Sequence, residues 1–345
     1  MDAVWEHDPA MEEAEVTREL FDFVSKGLMV QAVAVAAKLG IADLLTEGAK
    51  TAEELARETG AHPPTLYRLL RALTGVGIVA QDDDLRFSLA PLGAALRSGP
   101  ESGRERTRFF GEPFVWDAWG HLEHSVMTGT SAFRDAHGVG FFEFFAGNAD
   151  AAATFHAFMT RQSELQVPLI LAAYDFSEAR KIVDVGGGHG SLLAAVLRAN
   201  PGATGVLYDL AEVVENATHV RAPDLAARCK TVAGSFFETV PGGGDCYLLK
   251  LVIHDWDDQR AVEILRNIRA AIAADGRLLL LEAVMPAGND YHHAKFMDLN
   301  MLVLTDGGRE RTEDEFRELF RAAGFALART VATASPLSIV EAVPA

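Results

Sequence analysis

Four glycines among five residues close an apolar run at Ile182-Val183-Asp184-Val185-Gly186-Gly187-Gly188-His189-Gly190, and a helix-like pattern begins at Ser191. Such a stretch makes a strand, a tight turn that lets backbone approach a ligand, and a helix whose N-terminus faces the turn. Gly186, Gly188 and Gly190 give Gly-x-Gly-x-Gly, whereas the dinucleotide fingerprint would want glycine or alanine at Ser191. Asp209 closes the next apolar run about twenty residues on, the offset at which a carboxylate takes ribose hydroxyls. Turn and acid together point to an adenosine-containing cofactor. Asp184, ahead of the turn, reads as a group that orders the loop rather than one that reacts.

The second reactive candidate is His254, in Leu248-Leu249-Lys250-Leu251-Val252-Ile253-His254-Asp255-Trp256-Asp257-Asp258. A histidine after a buried strand at the ligand edge of an α/β sheet is placed to act as a general base, with an ordinary pKa of about 6.5. Glu282, at the end of Leu278–Leu281, and Glu310, in Gly307-Gly308-Arg309-Glu310-Arg311, are the two carboxylates that could orient it. The neighbouring aspartates invite a metal reading, but Asp257 or Asp258 serves well as N-cap of the helix expected over 259–273.

Strands and helices alternate from Arg180 onward, which predicts a parallel sheet covered on both faces. Strands are expected at 181–185, 205–209, 231–233, 246–251 and 277–284. Helices are expected from Ser191, over 212–219 and 259–273, and over 312–323 behind the capping box Thr312-x-x-Glu315. The last two strands, 326–333 and 337–343, are close enough to form an antiparallel hairpin added to that sheet.

The first half reads as helical. Val16, Leu20, Phe23, Val24, Leu28, Val30, Val33, Val35, Ala36 and Leu39 repeat at helical spacing, and Gly40 stops the helix. So broad an apolar face needs a second surface, either a subunit interface or the helix's own domain. A capping box at Thr51 and Glu54, a second helix from Thr65 to Leu73 and two short strands, 78–80 and 85–89, make a winged helix-turn-helix pattern. DNA binding is disfavoured by charge: Thr51 to Arg97 holds five basic residues (Arg57, Arg68, Arg71, Arg86, Arg97) against six acidic (Glu53, Glu54, Glu58, Asp82, Asp83, Asp84). Residues 109–159 hold ten of the twenty phenylalanines, most of them core, a few of them candidates for an aromatic-lined pocket.

At 345 residues, 49% hydrophobic and with a net charge of −18, the chain suits a globular protein that binds a small molecule rather than nucleic acid. Cys229 and Cys246 fit no metal or redox spacing. The acidic start lacks an apolar signal segment and no long apolar run is evident, so a cytoplasmic protein away from membranes is expected.

Asp184-Val-Gly-Gly-Gly-x-Gly190, Leu-Tyr-Asp209, Gly234-Ser-Phe-Phe237, Leu249-Lys-x-x-x-His254-Asp-Trp256, Glu282 and Gly308-Arg-Glu-Arg-Thr312 occur in one order and spacing. The set resembles the S-adenosylmethionine-dependent O-methyltransferases of the caffeate/hydroxyindole type, including bacterial members that methylate aromatic natural products. That resemblance implies an α/β fold: a seven-stranded Rossmann-like class I methyltransferase sheet behind an N-terminal all-helical winged-helix dimerisation domain. The implied domains are 1–105 for dimerisation, 106–175 as a helical linker and substrate lid, and 176–345 for S-adenosylmethionine binding and catalysis. It implies a homodimer, a small aromatic substrate and no metal. Position by position, Gly186, Gly188, Asp209, Ser235, Phe236 and Lys250 would hold the cofactor. His254 would be the base between Glu282 and Glu310, with Met159 and Asp255 toward the acceptor. Ser235 departs from the family's usual aspartate. A hydroxyl can still accept the adenine amino proton, but without charge assistance, so cofactor binding weaker by about 1 kcal/mol is expected. A nicotinamide-dependent oxidoreductase would not explain His254-Asp-Trp. A non-methylating enzyme on the same scaffold (decarboxylase, hydroxylase or pericyclase) is the remaining alternative.

Overall fold

The computed structural model describes residues 13–345 and divides into two compact units, one ending at Pro113 and one running from Phe114 to Ala345. In the first, the helix Glu13–Lys38 ends where Gly40 turns left-handed at φ 68°. Its last turns enter the core, with Ala36 and Ala37 packed among Ile41, Leu55 and Leu70. Its earlier turns do not: Phe21 is 72% exposed and Leu28 77%. Among the described residues, Ala14–Lys38 is the one helix that length and composition would let cross a membrane, although the sequence reading expects none. The helix Ala52–Thr59 carries the expected Thr51/Glu54 capping box, and Pro63–Thr74 follows with proline in its first turn. Strands β1 (Val79–Gln81) and β2 (Phe87–Leu89) pair antiparallel. The Asp82 carboxylate accepts the amides of Asp84 and Arg86 at 3.1 and 2.9 Å, so it builds the turn between them.

The second unit opens with helices, the longest Ala149–Ala173, and continues into a sheet of β3 (Lys181–Val185), β4 (Thr204–Asp209), β5 (Cys229–Ala233), β6 (Cys246–Lys250), β7 (Arg277–Glu282), β8 (Phe325–Ala332) and β9 (Ser338–Pro344). The strand order is β5-β4-β3-β6-β7-β9-β8. Strands β3 to β7 are parallel; β9 lies antiparallel between β7 and β8, the expected terminal hairpin. Both faces are covered, which is why Leu278–Leu281 can be leucine throughout: successive residues enter opposite cores. Leu278 and Leu280 pack with Ile264, Leu265 and Phe316 on one face; Leu279 and Leu281 pack with Leu193, Leu197 and Ile170 on the other.

Two elements differ from the sequence reading. The helix expected over 212–219 is reduced to Ala211–Val214 and a 3₁₀ turn at His219–Arg221. Asn216 turns its side-chain amide back to the Glu212 carbonyl at 2.9 Å, and the Thr218 amide donates to the Asn216 carbonyl at 2.8 Å, a local alternative to helical bonding. The helix His293–Leu304, absent from the sequence reading, lies between β7 and the Glu310 loop.

Candidate active site

The chain runs outward from β3 through β4 and β5, then crosses back to β6 on the other side of β3. That reversal opens a crevice at the carboxyl ends of β3 and β6, where open α/β sheets bind ligands. The glycine turn lines one wall with Lys250 at the end of β6, and Met159 faces them from the helix Ala149–Ala173.

The turn is built for close approach. Gly186, Gly188 and Gly190 have φ of 67°, 58° and 80°, which only glycine adopts without strain. At Gly187 the reason is space: an added Cβ would lie 2.6 Å from the Asp184 carboxylate. Asp184 is buried, and among the described residues neither of its oxygens has a hydrogen bond of normal geometry. Burial drives its pKa up to about 7, against the pull of Lys250. Burial likewise pushes Lys250 down to about 8, with Asp184 and Glu282 opposing. Asp209 accepts the Gly188 amide at 2.8 Å through one oxygen and the Leu210 amide at 2.7 Å through the other. It therefore orders the turn itself, and each oxygen keeps a further lone pair for a ligand hydroxyl.

Ser235 and Phe236 follow β5. The Ser235 hydroxyl oxygen accepts the Phe237 amide at 3.3 Å. Phe236 meets Trp256 edge-on at 6.1 Å between centroids and reaches 3.6 Å from where a Gly186 Cβ would stand. The Phe236 ring thus packs beside the glycine turn. An orphaned carboxylate, a turn that side chains would fill and a free acceptor at Asp209 fit a ligand carrying a ribose and an amino acid.

His254 sits in a 3₁₀ turn, Ile253–Asp255, just beyond β6. Leu251 reaches it through a left-handed conformation at φ 55°, a strain of about 1–2 kcal/mol for a branched side chain. The His254 Nδ1 lies 2.9 Å from Glu310 Oε1 and 3.8 Å from Glu282 Oε2. The two glutamates, equivalent in the sequence reading, have separate tasks. Glu310 makes the histidine hydrogen bond; Glu282 spends Oε1 on the amides of Val252 and Ile253, at 3.1 and 2.8 Å, and so shapes the turn. Because a carboxylate only accepts, Nδ1 donates, so in the neutral ring the lone pair is on Nε2, away from Glu310. Asp255 Oδ1 is 3.6 Å from that Nε2, too far for a hydrogen bond.

Electrostatics depart from the expected ordinary histidine. Burial alone would lower the His254 pKa, but Glu282, Glu310 and Asp255 together outweigh it and carry it up to about 10. Asp255 is pushed up to about 7, by burial first and then by the two glutamates, and burial also raises Glu282.

Sequence reasoning passed over His156, Thr160, Ser163 and His189, which line the same crevice. The His156 and His189 rings lie 5.5 Å apart, and Thr160 Oγ1 is 3.3 Å from His189 Nδ1. His189 stands inside the glycine turn and could have been singled out there; nothing in the sequence marks the helix that faces it. Phe142 stacks on Trp256 at 6.2 Å and 21°, which picks one ring out of the phenylalanine-rich segment.

A glycine turn, an acid after the following strand and a carboxylate-bound histidine on a seven-stranded sheet with a reversed last strand fit the resemblance to S-adenosylmethionine-dependent methyltransferases. The O-methyltransferase domain pattern matches residues 119–326 and the O-methyltransferase dimerisation domain matches 21–98. The chain belongs to that O-methyltransferase family, and its cofactor is S-adenosylmethionine. It is 43% identical to a phenazine O-methyltransferase of Lysobacter antibioticus, over 94% of this chain and 95% of the relative. It is 42% identical to the mitomycin biosynthesis 6-O-methyltransferase of Streptomyces lavendulae, over 93% and 92%. Among solved structures, an O-methyltransferase from neocarzinostatin biosynthesis, in complex with S-adenosylmethionine and 2-hydroxy-5-methyl naphthoic acid, superposes with a TM-score of 0.80 at 35% identity, covering 92% of this chain and 96% of the other.

Proposed function

We propose that this enzyme methylates a hydroxyl of a small planar aromatic natural product, with His254 as the general base. The observation that carries the reading is the 2.9 Å bond from His254 Nδ1 to Glu310, which leaves Nε2 for the acceptor's proton. A phenol with a pKa near 10 is a weak nucleophile until that proton is removed. When bound, S-adenosylmethionine would supply an electrophilic methyl carried on a sulfonium.

The chain's own residues do the rest. Gly186, Gly188 and Lys250 hold the amino-acid end of the cofactor, Asp209 the ribose, and Ser235 and Phe236 the adenine. Met159 packs on the acceptor ring and Asp255 faces it, with the helices of residues 106–175 as lid. Holding oxygen, methyl carbon and sulfur in line supplies much of the remaining rate. The acceptor class is supported by relatives named for phenazine and mitomycin, and by the Phe142 ring stacked on Trp256, two residues beyond His254. A homodimer through the exposed apolar turns of Glu13–Lys38 is supported by the dimerisation-domain match.

One observation favours a second reading: the ligand atoms of His254, Glu282 and Glu310 lie within 4.8 Å of one another, a spacing a divalent ion can use. Dialysis against a chelator separates the two. The base reading predicts an unchanged methylation rate; loss of activity restored by a divalent ion would assign the cluster to a metal.

A further inference from the structure

We infer that Arg311 is the positioning residue that sets the His254–Glu310 separation, by tying the turn that carries the histidine to the loop that carries the glutamate. The inference rests on the reading of His254 as the base. Arg311 belongs to the Gly308-Arg-Glu-Arg-Thr312 motif, and none of the roles assigned above uses it.

Its side chain is fully buried, where an unpaired guanidinium would be costly. The donors are instead spent on the His254 turn. Nη1 donates to the Ile253 carbonyl at 3.0 Å and Nη2 to the Trp256 carbonyl at 2.8 Å, so the two accepting carbonyls bracket His254 in sequence. Nε and Nη2 also grip Asp258 Oδ1 at 3.0 and 2.8 Å, fixing the start of the next helix. The backbone of the same loop closes the clamp from its own side. The Arg309 amide donates to the His254 carbonyl at 2.8 Å, and the Arg311 carbonyl accepts the Met285 amide at 2.8 Å. Between them the Glu310 amide donates to Asp298 Oδ1 at 2.9 Å. Gly308 completes the contact, since a Cβ there would stand 2.6 Å from the His254 carbonyl oxygen.

The geometry needs a planar fork. Two carbonyls and a carboxylate are reached by donors from three nitrogens in one plane, which the single ammonium of lysine cannot reproduce. The turn also needs external support, because the left-handed Leu251 leading into it persists only where the surroundings over-determine the backbone.

The test is Arg311→Lys in the full chain, which keeps the charge and removes the fork. Three quantities are measured: kcat, S-adenosylhomocysteine affinity, and the His254 titration followed by NMR of its ring. Expected are a folded protein, cofactor-product affinity within twofold of wild type, kcat lower by roughly 10- to 100-fold, and a His254 pKa moved down toward that of a free histidine. In a Glu310→Gln background the same substitution should add no further loss of kcat, because both changes act through one contact. A folded Arg311→Lys protein with wild-type kcat and His254 titration would overturn the inference, as would losses that multiply in the double variant. Should His254→Ala show that the histidine is not the base, the titration alone decides, since it reads the Glu310 contact whatever the chemistry. If Arg311→Lys fails to fold, Asp258→Asn loosens the guanidinium from the surface side; it should shift the His254 titration in the same direction, and an unmoved titration there overturns the inference.

Discussion

At the scale of single residues, the site works through unequal carboxylates. Glu310 touches His254, whereas Glu282 is tied to the turn's amides, so removing each should have a different signature. Because the carboxylates raise the His254 pKa against its burial, the free enzyme's kcat/KM should climb with pH along a limb on the alkaline side of an ordinary histidine. Glu310→Gln deletes one of the raising charges and should move that limb to lower pH while lowering the plateau. A pH–rate profile of the two proteins checks this, and a limb that stays in place would separate Glu310 from the base. Ser235 offers a second residue-scale test. Its oxygen already accepts the Phe237 amide, and a neutral hydroxyl gives a weaker bond to adenine than a carboxylate would. Ser235→Asp should tighten cofactor binding by about 1 kcal/mol, about fivefold when read by calorimetry; unchanged or weaker binding would count against the assignment.

At the scale of elements, the sequence was legible wherever local chemistry decides the structure. Capping boxes at Thr51 and Thr312 and the N-cap at Asp257 stand where their side chains require. The buried strands, the glycine turn and the terminal hairpin were readable from periodicity and spacing. The helix after β4 was not, because Asn216 bonds back locally and interrupts it. Nor was the division of labour between Glu282 and Glu310, since which glutamate meets His254 depends on a turn bent through left-handed Leu251. The raised histidine pKa is likewise a property of three charges brought together by the fold, invisible in a window of sequence. The helix Glu13–Lys38 gives an element-scale prediction. Leu20, Phe21, Val24 and Leu28 are exposed apolar residues over two turns, and a partner copy would cover them. Replacing Phe21 and Leu28 together by glutamate should convert a dimer into monomers, read by light scattering; a dimer that survives would place the interface elsewhere.

At the scale of the whole molecule, the buried ionisable groups link stability to pH. Asp184 and Asp255 are raised to about 7 and His254 to about 10, so the folded chain holds more protons than the unfolded one across the neutral range. Stability then falls as pH rises, because a group with a raised folded pKa loses its contribution on passing through that value. Lys250, lowered to about 8, acts in the opposite sense above that pH. The cofactor-free protein should therefore melt at progressively lower temperature between about pH 5 and 8; a melting temperature that is flat or rises over that window would show that these groups are not buried as described.

The central claim, that His254 removes the acceptor's proton during methyl transfer, has one direct test. Label transfer from S-adenosylmethionine to a panel of phenolic and hydroxyquinone acceptors should be compared between wild type and His254→Ala, with S-adenosylhomocysteine affinity measured alongside. Expected are transfer by the wild type, a loss of roughly 10²- to 10⁴-fold in the variant, and an unchanged affinity for the cofactor product. Transfer by His254→Ala at the wild-type rate would contradict it.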